Sequence, residues 1–155
     1  MKILIFIGTR PELIKLYPLI LELKKDKSKK IKICFTGQHD FLLKKILKEF
    51  KVNPNYILRC KNNTGNLNIL SSKLYKKSDE ILKKENPNLV IVQGDTTSSL
   101  VCSISAFHNK IKIAHVEAGL RTNSITEPFP EEFNRLTIAK VANFHFAPTV
   151  RAVII

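Results

Sequence analysis

Apolar residues fall along this chain in two rhythms. Residues 3–7 and 89–92 are unbroken runs rich in β-branched side chains, the pattern of strands buried on both faces. Residues 31–35, 57–58, 111–116 and 144–147 read as further strands. Between them apolar positions recur at helical spacing over residues 11–25, 40–50, 67–84, 98–108 and 131–141. Pro11 and Pro130 suit helix starts, and Pro87 stops the third helix. Strands separated by helices predict an α/β fold, a doubly wound parallel sheet of Rossmann-like type. No repeat or low-complexity linker interrupts the pattern, so one domain is expected over residues 1–149, with a short tail at 150–155.

Composition is that of a globular domain, 44% hydrophobic and 25% charged. The net charge of +13 raises nucleic-acid binding as a possibility. The excess is almost all lysine, in stretches from Lys24 to Lys32, Lys44 to Lys51 and Lys73 to Lys84. Each stretch is part of an amphipathic helix or borders one. Solvated helical faces therefore account for it, with no aromatic-interleaved stripe pointing to nucleic acid. Arginine is sparse (Arg10, Arg59, Arg121, Arg135 and Arg151). Such sparing use points to places that need a planar, bidentate fork.

Cys34, Cys60 and Cys102 show no metal-binding or disulfide spacing and are expected to be reduced thiols, Cys34 and Cys102 buried. No apolar run is long enough for a membrane span. The apolar start is too short for a signal peptide and is broken by Thr9-Arg10-Pro11-Glu12. A cytoplasmic protein without membrane contact is expected.

Ligands of an open parallel sheet bind where the strands end, and four such segments carry unusual chemistry. Gly8-Thr9-Arg10-Pro11-Glu12, with Lys15 one turn on, offers a close-approach glycine, a helix N-terminus with free N–H groups, and two cations for an anionic ligand. An ordinary strand-to-helix turn explains this segment alone equally well. In Thr36-Gly37-Gln38-His39-Asp40, Asp40 suits an N-cap and Gln38 and His39 are candidate ligand contacts. A lone turn histidine is more often structural. Gln93-Gly94-Asp95-Thr96-Thr97-Ser98-Ser99 packs more polar side chains into one turn than helix capping requires. In His115-Val116-Glu117-Ala118-Gly119-Leu120-Arg121-Thr122, Glu117 leaves a buried strand, where an unpaired carboxylate is costly. Arg121 or Arg135 is available to neutralise it. Glu131 and Glu132 open the next helix beside the same rim, so Asp95, Glu117 and Glu131 are expected to converge on one cleft.

Gly-Thr-Arg-Pro-Glu-x-Ile-Lys, Thr-Gly-Gln-His, Gln-Gly-Asp-Thr-Thr, His-Val-Glu-Ala-Gly-Leu-Arg-Thr and Pro-Glu-Glu-x-Asn-Arg stand here in one order and spacing. Together they resemble the non-hydrolysing UDP-N-acetylglucosamine 2-epimerases, from Met1 to about Thr149. The resemblance implies interconversion of UDP-N-acetylglucosamine and UDP-N-acetylmannosamine. UDP is eliminated to give 2-acetamidoglucal and is then added back with a proton from the other face. It implies Asp95, Glu117 and Glu131 as essential carboxylates, and Arg10 and Lys15 as essential basic residues. Gly8, Arg10, Gln38, His39, Thr96, Arg121 and Arg135 are implied as substrate contacts.

No metal or redox cofactor is implied. Gln38 and His39 also match part of a second substrate site found in some bacterial members. Phe41 replaces a polar residue there, which argues against substrate activation. The family architecture is of glycosyltransferase-B type. Two Rossmann-like domains flank the active site, and homodimers form largely through the first. This chain is expected to supply the first domain only, to be inactive alone, and to need a second domain, separately encoded or otherwise. A glycosyltransferase-like enzyme and a non-enzymatic basic binding module are the rival readings.

Overall fold

In the computed structural model, residues 1–37, 49–62 and 64–153 are described. The elements are β1 (Lys2–Ile7), α1 (Arg10–Lys25), β2 (Lys30–Phe35), β3 (Tyr56–Ile57), α2 (Leu67–Glu85), β4 (Leu89–Gln93), α3 (Thr97–His108), β5 (Lys112–Val116), α4 (Glu131–Val141) and β6 (Phe144–Phe146). A 3-10 turn at Val150–Val153 follows. Most of the helix expected over residues 40–50 lies outside the described residues.

The six strands form one parallel sheet in the order β3-β2-β1-β4-β5-β6. Two windings leave β1 in opposite directions, as in the doubly wound fold. Alternation along the strands sorts the core into two layers. Leu4 and Phe6 of β1, with Val90, Val92 and Ile113, meet Leu70, Leu74 and Leu82 of α2, Val101, Cys102 and Ala106 of α3 and Ile138 of α4. Ile3, Ile5 and Ile7, with Ile33 and Ile91, meet Leu13, Leu16 and Ile20 of α1 on the other side.

Local chemistry sets the helix ends. Asn66 caps α2 by accepting from the N–H groups of Asn68 (2.9 Å) and Ile69 (3.2 Å). Asn86 closes it in the left-handed conformation, its N–H bound to Leu82 O at 2.8 Å, just before Pro87. Thr96 caps α3 through Ser99 N at 3.1 Å. Lys73, Lys76, Lys83 and Lys84 of α2 are exposed, as a solvated face requires. Lys24 and Lys25, like Lys83 and Lys84, fall in last turns, where cations favour the helix dipole.

All three cysteines are free and buried, Cys60 included. Among the described residues no helix is long and apolar enough to cross a membrane. The edge strand β6 is more open than its apolar sequence suggests, with Phe144 46% and Phe146 58% exposed.

Leu74, fully buried between α2 and the sheet, tests the packing. Leu74→Ala should lower the urea-unfolding free energy by about 2–5 kcal/mol. Lys76→Ala on the exposed face should change it by less than about 0.5 kcal/mol.

Candidate active site

The windings part between β1 and β4, and the turns after these strands meet above the sheet. Their approach is close. A Cβ on Gly8 would lie 2.8 Å from Ser98 Cβ and 2.9 Å from Ser98 Oγ, so only glycine fits against α3. Gly94 turns the chain after β4 with φ 70°. Glu117 takes φ 65° straight after β5, a left-handed conformation uncommon for a residue with a side chain.

These turns enclose a cleft of about 440 Å³ lined by Gly8, Thr9, Arg10, Pro11, Glu12, Lys15, residues 93–96 and Glu117. Lys15 Nζ lies 2.8 Å and 2.5 Å from the two carboxylate oxygens of Glu117, and the Gln93 side-chain amide donates to the same carboxylate. Glu117 is 23% exposed and Lys15 50%, so the pair faces the opening. Lysine and an amide therefore neutralise and orient this carboxylate, and not Arg121 or Arg135.

Arg135 instead serves Asp95. Its Nε and Nη2 lie 2.8 Å and 2.6 Å from Asp95 Oδ2, and its Nη1 donates to the buried Glu132 at 2.7 Å. Asn134 Nδ2 adds a bond to the Asp95 carbonyl at 2.7 Å. One turn of α4 thus holds both the backbone and the side chain of Asp95. His115 supports the same loop from below. Its ring is fully buried, and Nε2 lies 2.7 Å from the Gly94 carbonyl. A carbonyl only accepts, so that nitrogen carries the proton. Burial lowers the His115 pKa, which keeps the ring neutral.

Glu12 is the residue that sequence reasoning overlooked. It is 2% exposed. Its carboxylate accepts from Gly8 N at 2.6 Å and Thr9 Oγ1 at 3.1 Å. Burial raises its pKa to about 7 against the pull of these donors. Thr9-Arg10-Pro11-Glu12 has the spacing of a capping box, in which the glutamate reaches back over the helix start; that was the available signal. The Gly8 N–H is thus occupied by a side chain of its own turn.

Of the residues singled out in the sequence, the fold brings Gly8, Arg10, Lys15, Asp95, Thr96 and Glu117 to one cleft. Arg135 stands behind it on Asp95. Glu131 opens α4 half-buried, one turn before Arg135, and is not among the lining residues. Arg121 lines a separate basic hollow with Arg151. Gln38 and His39 lie outside the described residues.

A parallel α/β domain with paired carboxylates and cations at its switch point belongs to the Rossmann-like class of ligand-binding domains. The chain belongs to the UDP-N-acetylglucosamine 2-epimerase family, whose sequence model matches residues 21–154. It is 44% identical to the UDP-N-acetylglucosamine 2-epimerase of Campylobacter jejuni, over 97% of this chain and 39% of that protein. With the Escherichia coli K12 enzyme of the same name it shares 41% identity, over 96% of this chain and 40% of that protein.

The solved structure of the Neisseria meningitidis enzyme bound to UDP-GlcNAc superposes with a TM-score of 0.94 at 38% identity, covering 98% of this chain and 41% of that one. The Methanocaldococcus jannaschii enzyme in complex with UDP-GlcNAc and UDP gives 0.92 at 38% identity, covering 99% and 42%. The chain thus spans about two-fifths of the length of these relatives.

Glu12 sets a pH dependence. Its folded pKa of about 7 lies above the ordinary 4.5, so the folded chain holds this proton more tightly than the unfolded one. Its contribution to stability is complete below about pH 4.5 and is lost as pH rises through about 7, by roughly 3 kcal/mol. Urea unfolding of the wild type relative to Glu12→Gln should show this loss between about pH 5 and about pH 8. A constant difference between the two proteins would contradict it.

Proposed function

We propose that this chain forms one wall of the active site of a non-hydrolysing UDP-N-acetylglucosamine 2-epimerase, which inverts carbon 2 of the nucleotide sugar. The observation that carries the reading is the pair of oriented carboxylates, Asp95 and Glu117, at the ends of adjacent strands beside Lys15 and Arg10. In this reading a base takes the carbon-2 proton while the carbon-1–oxygen bond breaks. The electron pair of the C–H bond becomes the carbon-1–carbon-2 double bond of 2-acetamidoglucal, and UDP leaves with the electrons of the C–O bond. Re-addition of UDP, with a proton delivered to the opposite face, completes the inversion.

The carboxylates suit proton transfer because each is fixed in place by its own partners and the substrate need not order them. Arg10, exposed at the first residue of α1, supplies charge to the departing diphosphate. Glu131 acts from the first turn of α4. The facing wall comes from residues corresponding to the remaining three-fifths of the relatives, on the same polypeptide or a separate one. A homodimer is the proposed assembly. The cytoplasm is the proposed compartment, in keeping with three buried free cysteines.

Proton NMR of UDP-N-acetylglucosamine in deuterated buffer, following the carbon-2 signal, tests the reading. The 155-residue chain alone should leave the signal intact. A chimera joining residues 1–149 to the remaining part of the Campylobacter jejuni relative should exchange it, and Glu117→Gln should abolish the exchange. Exchange by the chain alone would refute the shared cleft. Exchange surviving Glu117→Gln would refute the role given to that residue.

A further inference from the structure

The first turn of α4 holds a buried acid to which the proton-transfer reading gives no task. Glu132 is 1% exposed. Among the described residues the only partner of its carboxylate is Arg135, whose Nη1 donates to Oε2 at 2.7 Å. A carboxylate at this depth is costly, and a buried ion pair adds little net stability. The first turn of a helix favours an acid, but Glu131 already supplies one there. Stability is therefore a poor account of Glu132.

Its contact with Arg135 is a better one. Arg135 is itself 9% exposed and uses its guanidinium on two sides. Nε and Nη2 meet Asp95 Oδ2 at 2.8 Å and 2.6 Å, while Nη1 meets Glu132. The guanidinium is a rigid plane, so a hold on Nη1 fixes the direction of the edge that reaches Asp95. Both nitrogens of that edge converge on one oxygen. Asp95 Oδ1 accepts no bond among the described residues, and Asp95 lines the cleft. Asn134, on the same turn of α4, donates to the Asp95 carbonyl at 2.7 Å. Backbone and Oδ2 are thus both tied to α4, and Oδ1 alone is left over.

We propose that Glu132 is a positioning residue: it sets the plane of the Arg135 guanidinium, which pins Asp95 through Oδ2 and leaves Oδ1 open to the sugar. The hold on Asp95 stands on ligand-free contacts; its bearing on catalysis rests on the epimerase reading.

The test begins without substrate, in the proton–nitrogen NMR spectrum of the arginine side chains of the 155-residue chain. The Arg135 Nε–H signal, identified by its loss in Arg135→Lys, should exchange with water at least about 10-fold more slowly than that of the exposed Arg10. Glu132→Leu fills the space but offers no acceptor, and should bring the Arg135 rate to that of Arg10. Glu132→Gln keeps an acceptor oxygen and should keep the slow exchange. Backbone amide spectra check that each variant is folded.

In the chimera, Glu132→Leu should lower kcat for carbon-2 exchange about 100-fold, the scale of a displaced reacting group. KM should change by less than about threefold, because the lost contact serves the reacting carbon and not the nucleotide. Glu132→Gln should recover most of kcat. A wild-type Arg135 Nε–H that exchanges as fast as that of Arg10 would overturn the proposal without any variant of Glu132. Slow exchange that survives in a folded Glu132→Leu, a wild-type kcat in the leucine chimera, or a loss confined to KM would also overturn it. A wild-type chimera without exchange would instead count against the epimerase reading, while the arginine signals would still decide the hold on Asp95.

Discussion

Where β1 pairs with β4, the two windings of the chain separate and leave a gap at the strand ends. The site depends on how that gap is closed. Gly8 and Ser98 touch at a distance that admits no side chain, and Glu12 fixes the first of these turns by accepting from Gly8 N and Thr9 Oγ1. With the turns locked together, Lys15 on one can meet Glu117 beyond the other. The rest of the sheet serves mainly to fix the height and direction of these strand ends. Its central strand, β1, is buried on both faces for this purpose.

Charge in the cleft is arranged quite differently from charge on the surface. The chain carries +13 overall, yet the groups that matter here are carboxylates, each with named partners. Asp95 is held by Arg135, whose guanidinium also binds the buried Glu132. Such buried ion pairs add little net stability, because desolvation offsets most of the attraction. What they supply here is orientation. Asp95 and Glu117 remain 27% and 23% exposed, fixed on one side and open to solvent on the other. A carboxylate meant only to stabilise the fold would have no need of that opening.

Much of the fold could be read from the sequence because local patterns determine it. The odd and even residues of β1 separate into two core layers, as a strand buried on both faces requires. Pro11 and Pro87 stand at helix boundaries where their missing N–H does no harm. Asp95 and Glu117 were legible as acids at strand ends. The partner of each acid was not. Arg135 meets Asp95 across 40 residues of sequence, and Lys15 meets Glu117 across 102; only the sheet order decides such pairings. The burial of Glu12 escaped notice because its spacing is that of an ordinary helix cap. The exposure of β6 was hidden for a similar reason: its phenylalanines look like core, but the strand is an edge.

Backbone amide chemical shifts of the 155-residue chain, followed as UDP-N-acetylglucosamine is added, bear most directly on the claim that the nucleotide sugar sits at the switch point between β1 and β4. The account predicts that the largest changes fall on Gly8, Gly94, Thr96 and Glu117, the backbone that lines the cleft. Changes centred on Gly119, Arg121 and Arg151, around the separate basic hollow, with the cleft amides unmoved, would contradict it.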